Sequence, residues 1–121
     1  MKKILIVEDD PITKKLMVDA FKKGGFEVAE ASNGQEGLET ASNFRPDLIL
    51  TDIMMPIMNG LTMLKELQDR EWAKNISVII YTNSKDSEII ADALKYKTLK
   101  YIIKCDMTVD DIVKRVAKEL E

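Results

Sequence analysis

Two rhythms of apolar residues alternate along the chain. Ile4–Val7, Leu48–Leu50, Val78–Tyr81 and Tyr101–Ile103 are short uninterrupted apolar runs, the pattern of strands buried on both faces. Glu27–Ala31 alternates instead and predicts a shorter strand with one face exposed. Between these runs the spacing turns helical. Ile12, Leu16, Met17, Ala20 and Phe21 predict a first helix, opened by Asp10 as N-cap with Pro11 in the first turn and stopped by Gly24-Gly25. Ser32-Asn33-Gly34 reads as a turn, and a second helix follows over 35–43 with Leu38 and Ala41 inward. Arg45-Pro46 breaks the chain before the third strand. Gly60 precedes a third helix carrying Leu61, Leu64 and Leu67, with Trp72 packed against it from the next connection. Ile89, Ile90, Ala93 and Leu94 mark a fourth helix. Thr108-Val109-Asp110-Asp111 has the form of a capping box for a fifth, with Ile112, Val113, Val116 and Leu120 inward.

Strand and helix thus alternate five times. That order predicts an α/β fold, a doubly wound five-stranded parallel sheet with helices on both faces, as one domain over residues 1–121. Hydrophobic residues make up 45% of the chain, enough for a core of that size.

Composition narrows the chemistry. There is no histidine, which removes histidine acid-base work and the Ser-His-Asp arrangement. The single cysteine, Cys105, excludes an internal disulfide and a multi-cysteine metal site. Net charge is -3, which argues against direct nucleic-acid binding. No apolar run approaches the ~20 residues that span a bilayer, and the start MKKILIVEDD meets acids too early for a signal peptide. The expectation is a cytoplasmic protein with no membrane association.

The polar residues that close the strands are the candidates for function. Glu8, Asp9 and Asp10 follow the first strand, Asp52 the third, Thr82 and Asn83 the fourth, and Lys104 the fifth. Open α/β sheets hold ligands at the C-terminal ends of their strands. Crowded carboxylates repel one another, and a hard cation such as Mg²⁺, which takes oxygen ligands, relieves that repulsion. Thr82 and Lys104 would then supply donors for an anion, and a phosphoryl group beside Mg²⁺ is the natural one. Taken alone, Asp52 has a plainer reading, as the start of a turn.

The segments VEDDP, DLILTDIMMPIMNG, VIIYTN and YIIK, in that order, resemble the receiver domain of two-component response regulators over essentially the whole chain. The resemblance implies strand order 2-1-3-4-5. It implies Asp52 as phosphoryl acceptor, Asp9 as a direct Mg²⁺ ligand, Glu8 acting through a metal-bound water, and Met54 giving a backbone carbonyl to the metal. Thr82 corresponds to the switch hydroxyl, Tyr101 to the switch aromatic and Lys104 to the phosphoryl-binding lysine. The donor would be a histidine kinase or histidine phosphotransfer protein. The output would be a downstream protein or a second copy of the chain, bound by an altered face. Such a chain is an autocatalytic phosphoryl acceptor with slow self-dephosphorylation rather than a conventional enzyme.

Several positions depart from the family. Cys105 stands where proline usually follows the lysine, and Lys97-Thr98 stands where Gly-Ala is usual. Asn83 replaces a small residue, Asn59 replaces the frequent Asp before Gly60, and Thr51 precedes the acceptor where an apolar residue is common. These departures keep one alternative in view, a degenerate receiver that is not phosphorylated and acts as an interaction module. A phosphatase or flavin-binding α/β protein fits less well, because acids occupy the loop after strand one where a Gly- or Ser-rich phosphate cradle would be.

Overall fold

The computed structural model describes residues 1–82, 87–96, 99–104 and 107–121, with backbone alone at 82, 87, 89, 90 and 99–104. In chain order the elements are β1 (Lys3–Val7), α1 (Pro11–Lys23), β2 (Glu27–Ala31), α2 (Gly34–Phe44) and β3 (Leu48–Thr51). Then come α3 (Gly60–Gln68), a 3-10 turn at Glu71–Ala73, β4 (Ser77–Thr82), α4 (Ser87–Ala93), β5 (Leu99–Lys104) and α5 (Val109–Glu119). The strands form one parallel sheet in the order β2-β1-β3-β4-β5, as the alternation predicts. Asn83, Lys97, Thr98 and Cys105 lie outside the described residues.

Successive side chains of a strand point to opposite faces, so the apolar runs supply two cores at once. Ile4, Ile6, Leu48, Leu50, Ile79 and Tyr81 pack with Met17, Val18 and Phe21 of α1 and Ile112 and Val116 of α5. Leu5, Val7, Ile49, Val78 and Ile80 face the other way, against Leu38 and Ala41 of α2 and Met63, Leu64 and Leu67 of α3. Phe21 is fully buried and meets the Phe26 ring edge-on, with centroids 5.7 Å apart. Removing such a ring from a core costs about 3–5 kcal/mol.

The helix boundaries follow their caps. Asp10 accepts from the Thr13 N–H at 2.9 Å and its hydroxyl at 2.6 Å, with Pro11 in the first turn. Gly24 caps the C-terminus of α1, and Gly25 turns the chain at φ 93, a left-handed value that glycine adopts freely. Asn33, read from sequence as part of a turn, is the buried N-cap of α2 and accepts from the Glu36 N–H at 2.9 Å. Thr108 accepts from the Asp111 N–H at 3.1 Å, as its capping pattern predicts.

The sequence places the wrong apolar residues of α1 together. Ile12 and Leu16 are 72% and 57% exposed, and Val18 is buried in their stead. At about 100° per residue, Met17, Val18 and Phe21 share one side of the helix, and Ile12 lies nearly opposite. Leu94, expected on the fourth helix, follows α4 and is 64% exposed. Trp72 is half-buried against the α2–α3 core, with the Arg45 guanidinium 4.9 Å from its ring centre. Among the described residues no helix is long and apolar enough to cross a membrane.

Candidate functional site

The end of the sheet gathers the acids because the strands are in step. Val7 is level with Thr51, and Thr51 with Ile80, so Glu8, Asp52 and Tyr81 each lie one residue further along neighbouring strands. These three continue the rows Ile4-Ile6, Leu48-Leu50 and Ile79, all on the α1–α5 face. The hydrophobic row therefore ends in two carboxylates and a phenol. Oxygens of Glu8, Asp9 and Asp52 lie within 4.8 Å of one another. Glu8 is buried, Asp52 half-buried and Asp9 exposed.

Short-range contacts hold each acid in place. The Glu8 N–H donates to the Ala31 carbonyl at 3.0 Å, and the Asp52 N–H donates to that of Val7 at 3.2 Å. Asp52 Oδ1 accepts from the Ile53 N–H at 2.7 Å and, more loosely, from the Met54 N–H at 3.4 Å. The Thr51 hydroxyl donates to the Asp52 carbonyl at 2.9 Å, so this polar residue satisfies a local backbone group. Behind the loop that follows Asp52, the Gly60 N–H donates to the Ile53 carbonyl at 2.8 Å. A Cβ at Gly60 would lie 2.5 Å from the Asp52 carbonyl oxygen, closer than any side chain tolerates.

Electrostatics here favour protonation or a cation. Burial, opposed by the Tyr81 hydrogen bond and reinforced by Asp52 and Asp9, pushes Glu8 up to about 7. Asp52 is raised as well, chiefly by burial, against the hydrogen bonds from Ile53 and Met54. Three carboxylates offering oxygens at one point match the hard-cation donor set, so the cluster can hold a divalent metal. Met54 follows within the same loop with its side chain 61% exposed.

Thr82 and Lys104 are the last residues of β4 and β5 and are paired in register, so their backbones sit at the same sheet end as the acids. Tyr101 pairs with Ile79 on the edge strand, after a register shift between Val78 and Ile79. The side chains of Thr82, Tyr101 and Lys104 lie outside the description.

Two features were missed from sequence. The Tyr81 hydroxyl donates to Glu8 Oε2 at 2.9 Å, across β3. A phenol inside an otherwise aliphatic strand run was the available signal. Ile57 has φ 69 and is 84% exposed, and the Met58 N–H closes a three-residue turn onto the Pro56 carbonyl at 2.7 Å. A β-branched residue in that region is a true backbone outlier.

An α/β sheet of this order with an acidic cluster at its C-terminal edge defines a receiver-type fold. Residues 4–117 match the response regulator receiver domain family, and the chain belongs to it. It is 33% identical over 104 residues to the chemotaxis protein CheY of Thermotoga maritima, covering 85% of each chain. It is 36% identical over 118 residues to the transcriptional regulatory protein LnrK of Bacillus subtilis, covering 96% of this chain and 52% of LnrK. Among solved structures, a chain of the CheX-CheY-BeF3-Mg²⁺ complex of Borrelia burgdorferi superposes with a TM-score of 0.85 at 27% identity, covering 99% of this chain and 90% of that one. The chain is thus a receiver-domain signalling module of the two-component class.

Proposed function

We propose that Asp52 accepts a phosphoryl group from a phosphohistidine of a histidine kinase or phosphotransfer protein, and that Mg²⁺ is the cation the acidic cluster holds. The observation that carries this reading is the meeting of Glu8, Asp9 and Asp52 within 4.8 Å in a chain of the receiver family. Asp9 and Asp52 would hold the metal by their carboxylates and Met54 by its carbonyl, with Glu8 acting through a metal-bound water. When bound, Mg²⁺ neutralises charge between the acids and the phosphoryl oxygens.

The chain's own residues do the rest. The Ile53 and Met54 N–H groups fix Asp52 through Oδ1, which leaves Oδ2 as the nucleophile. Oδ2 forms a bond to phosphorus as the N–P bond of the donor breaks, and the leaving imidazole takes up a proton. Lys104 would hold an oxygen of the phosphoryl group, and Thr82 would donate to another once the β4 end shifts. The product is an acyl phosphate that water later hydrolyses. Its added charge would bias the face made by α4, β5 and α5 through Tyr101, and that face would bind a downstream protein or a second copy. Residues 1–121 would form a single domain, at work in the cytoplasm.

The test is incubation with Mg²⁺ and a small acyl-phosphate donor, followed by intact-mass measurement. A gain of one phosphoryl group, absent in Asp52→Asn, is expected. Full labelling of Asp52→Asn at another residue would overturn the assignment.

A further inference from the structure

We infer that Tyr81 is a positioning residue for the cation site, its hydroxyl clamping one oxygen of Glu8 so that the other is presented to the cation's hydration shell. The inference rests on the reading that the acidic cluster binds Mg²⁺, and it deepens that reading.

The geometry is specific. Tyr81 and Glu8 stand on β4 and just past β1, strands separated by β3, and the phenol ring spans that gap. Both groups are buried, at 3% and 4% exposure, so water does not substitute for the bond. The backbone of Glu8 is pinned from the other side by the Ala31 carbonyl at the end of β2. Glu8 is therefore tied at its N–H to one neighbour strand and at Oε2 to the strand beyond the other. With one oxygen of Glu8 held by the phenol, its carboxylate still offers an oxygen within 4.8 Å of those of Asp9 and Asp52.

The chemistry of the clamp suits the task. An aliphatic side chain at this position would leave a buried carboxylate oxygen without its donor. A lysine would satisfy that oxygen but would also bring a positive charge to the place a cation must enter. A phenol donates one hydrogen bond and carries no charge, so it fixes Glu8 and leaves the site's negative potential intact. A hydrogen bond to a charged partner contributes enough for about a tenfold change in an equilibrium constant.

The experiment uses the full chain and MgCl₂ alone, without phosphorylation. Mg²⁺ is titrated into wild type, Tyr81→Phe, Glu8→Gln and the double variant, with the amide NMR signals of residues 8–10 and 52–54 followed. Expected is about tenfold weaker Mg²⁺ binding in Tyr81→Phe than in wild type, with no further loss when Tyr81→Phe is added to Glu8→Gln. In wild type the Tyr81 hydroxyl proton signal should also move on Mg²⁺ addition, a signature that a merely space-filling ring would lack. Equal Mg²⁺ affinity in wild type and Tyr81→Phe would overturn the positioning role while leaving the functional reading standing. The same tenfold loss in the Glu8→Gln background would overturn it too, because the effect would then not pass through Glu8. A wild type whose signals ignore Mg²⁺ would remove the functional reading and this inference together.

Discussion

Glu8 binds its proton more tightly in the folded chain than in the unfolded one, and that sets the direction of its effect on stability. Its carboxyl titrates near 7 when folded against an ordinary 4.5. Below about 4.5 both states hold the proton and the group is neutral to stability in the sense that nothing has yet been lost. Between 4.5 and 7 the unfolded chain gives up the proton and the folded chain keeps it, so folding weakens as pH rises. Asp52, also raised, acts with the same sign. In metal-free buffer, urea unfolding of wild type should show stability falling across this window, and Glu8→Gln should flatten the profile. A wild-type profile that rises from pH 4.5 to 7 would contradict the burial argument. Ile57 offers a second residue-scale test. Its left-handed backbone costs an L-residue about 1–2 kcal/mol, and with 84% of it exposed there is little packing to lose. Ile57→Gly should therefore raise stability by up to about 1 kcal/mol after the entropy cost of glycine, read as a higher urea midpoint.

The loop from Asp52 to Gly60 is where element and chemistry meet. Asn59 caps α3 by accepting from the Thr62 N–H at 2.9 Å, and Gly60 lies directly behind the Asp52 carbonyl. The first turn of α3 is thereby pressed against the backbone of Asp52. Gly60→Ala should push that backbone away, lowering stability by about 1–3 kcal/mol and slowing phosphoryl transfer from the small donor. An unchanged melting temperature and labelling rate would show that the loop absorbs the Cβ. Much of this was legible beforehand, since Asp52 follows an apolar run and Asn59-Gly60 precedes a helical pattern. Capping and periodicity are local signals, and they located the elements. The inward face of α1 was not legible, because Ile12 and Leu16 are apolar yet face solvent, and only the packing against α5 decides between two faces of similar character. The Tyr81–Glu8 bond was equally hidden. It joins residues 73 apart in sequence across an intervening strand, and it depends on a register that no single strand encodes.

Across the whole molecule, the sheet carries its cluster of acids at one end, so a cation that binds there only in the folded chain would stabilise all of it. At tenfold excess over the dissociation constant the gain is about 1.4 kcal/mol. Asp9 is the exposed member of the cluster, so Asp9→Ala should fold normally and lose most of the Mg²⁺-dependent rise in melting temperature. A full rise in that variant would place the cation elsewhere. The parallel order of the strands was legible from strand-helix alternation, and the meeting of the acids follows from it, since every parallel strand delivers its C-terminus to the same edge. The sole tryptophan of the chain stands at the other edge. Trp72 precedes β4, beneath the Arg45 guanidinium, while the acids follow β1 and β3. Its ring lines one groove together with Met58, a residue of the loop that follows Asp52. A change in indole fluorescence when Asp52 is modified would report a rearrangement carried along that groove from Met58, which makes Trp72 a built-in detector on the α2–α3 side of the sheet.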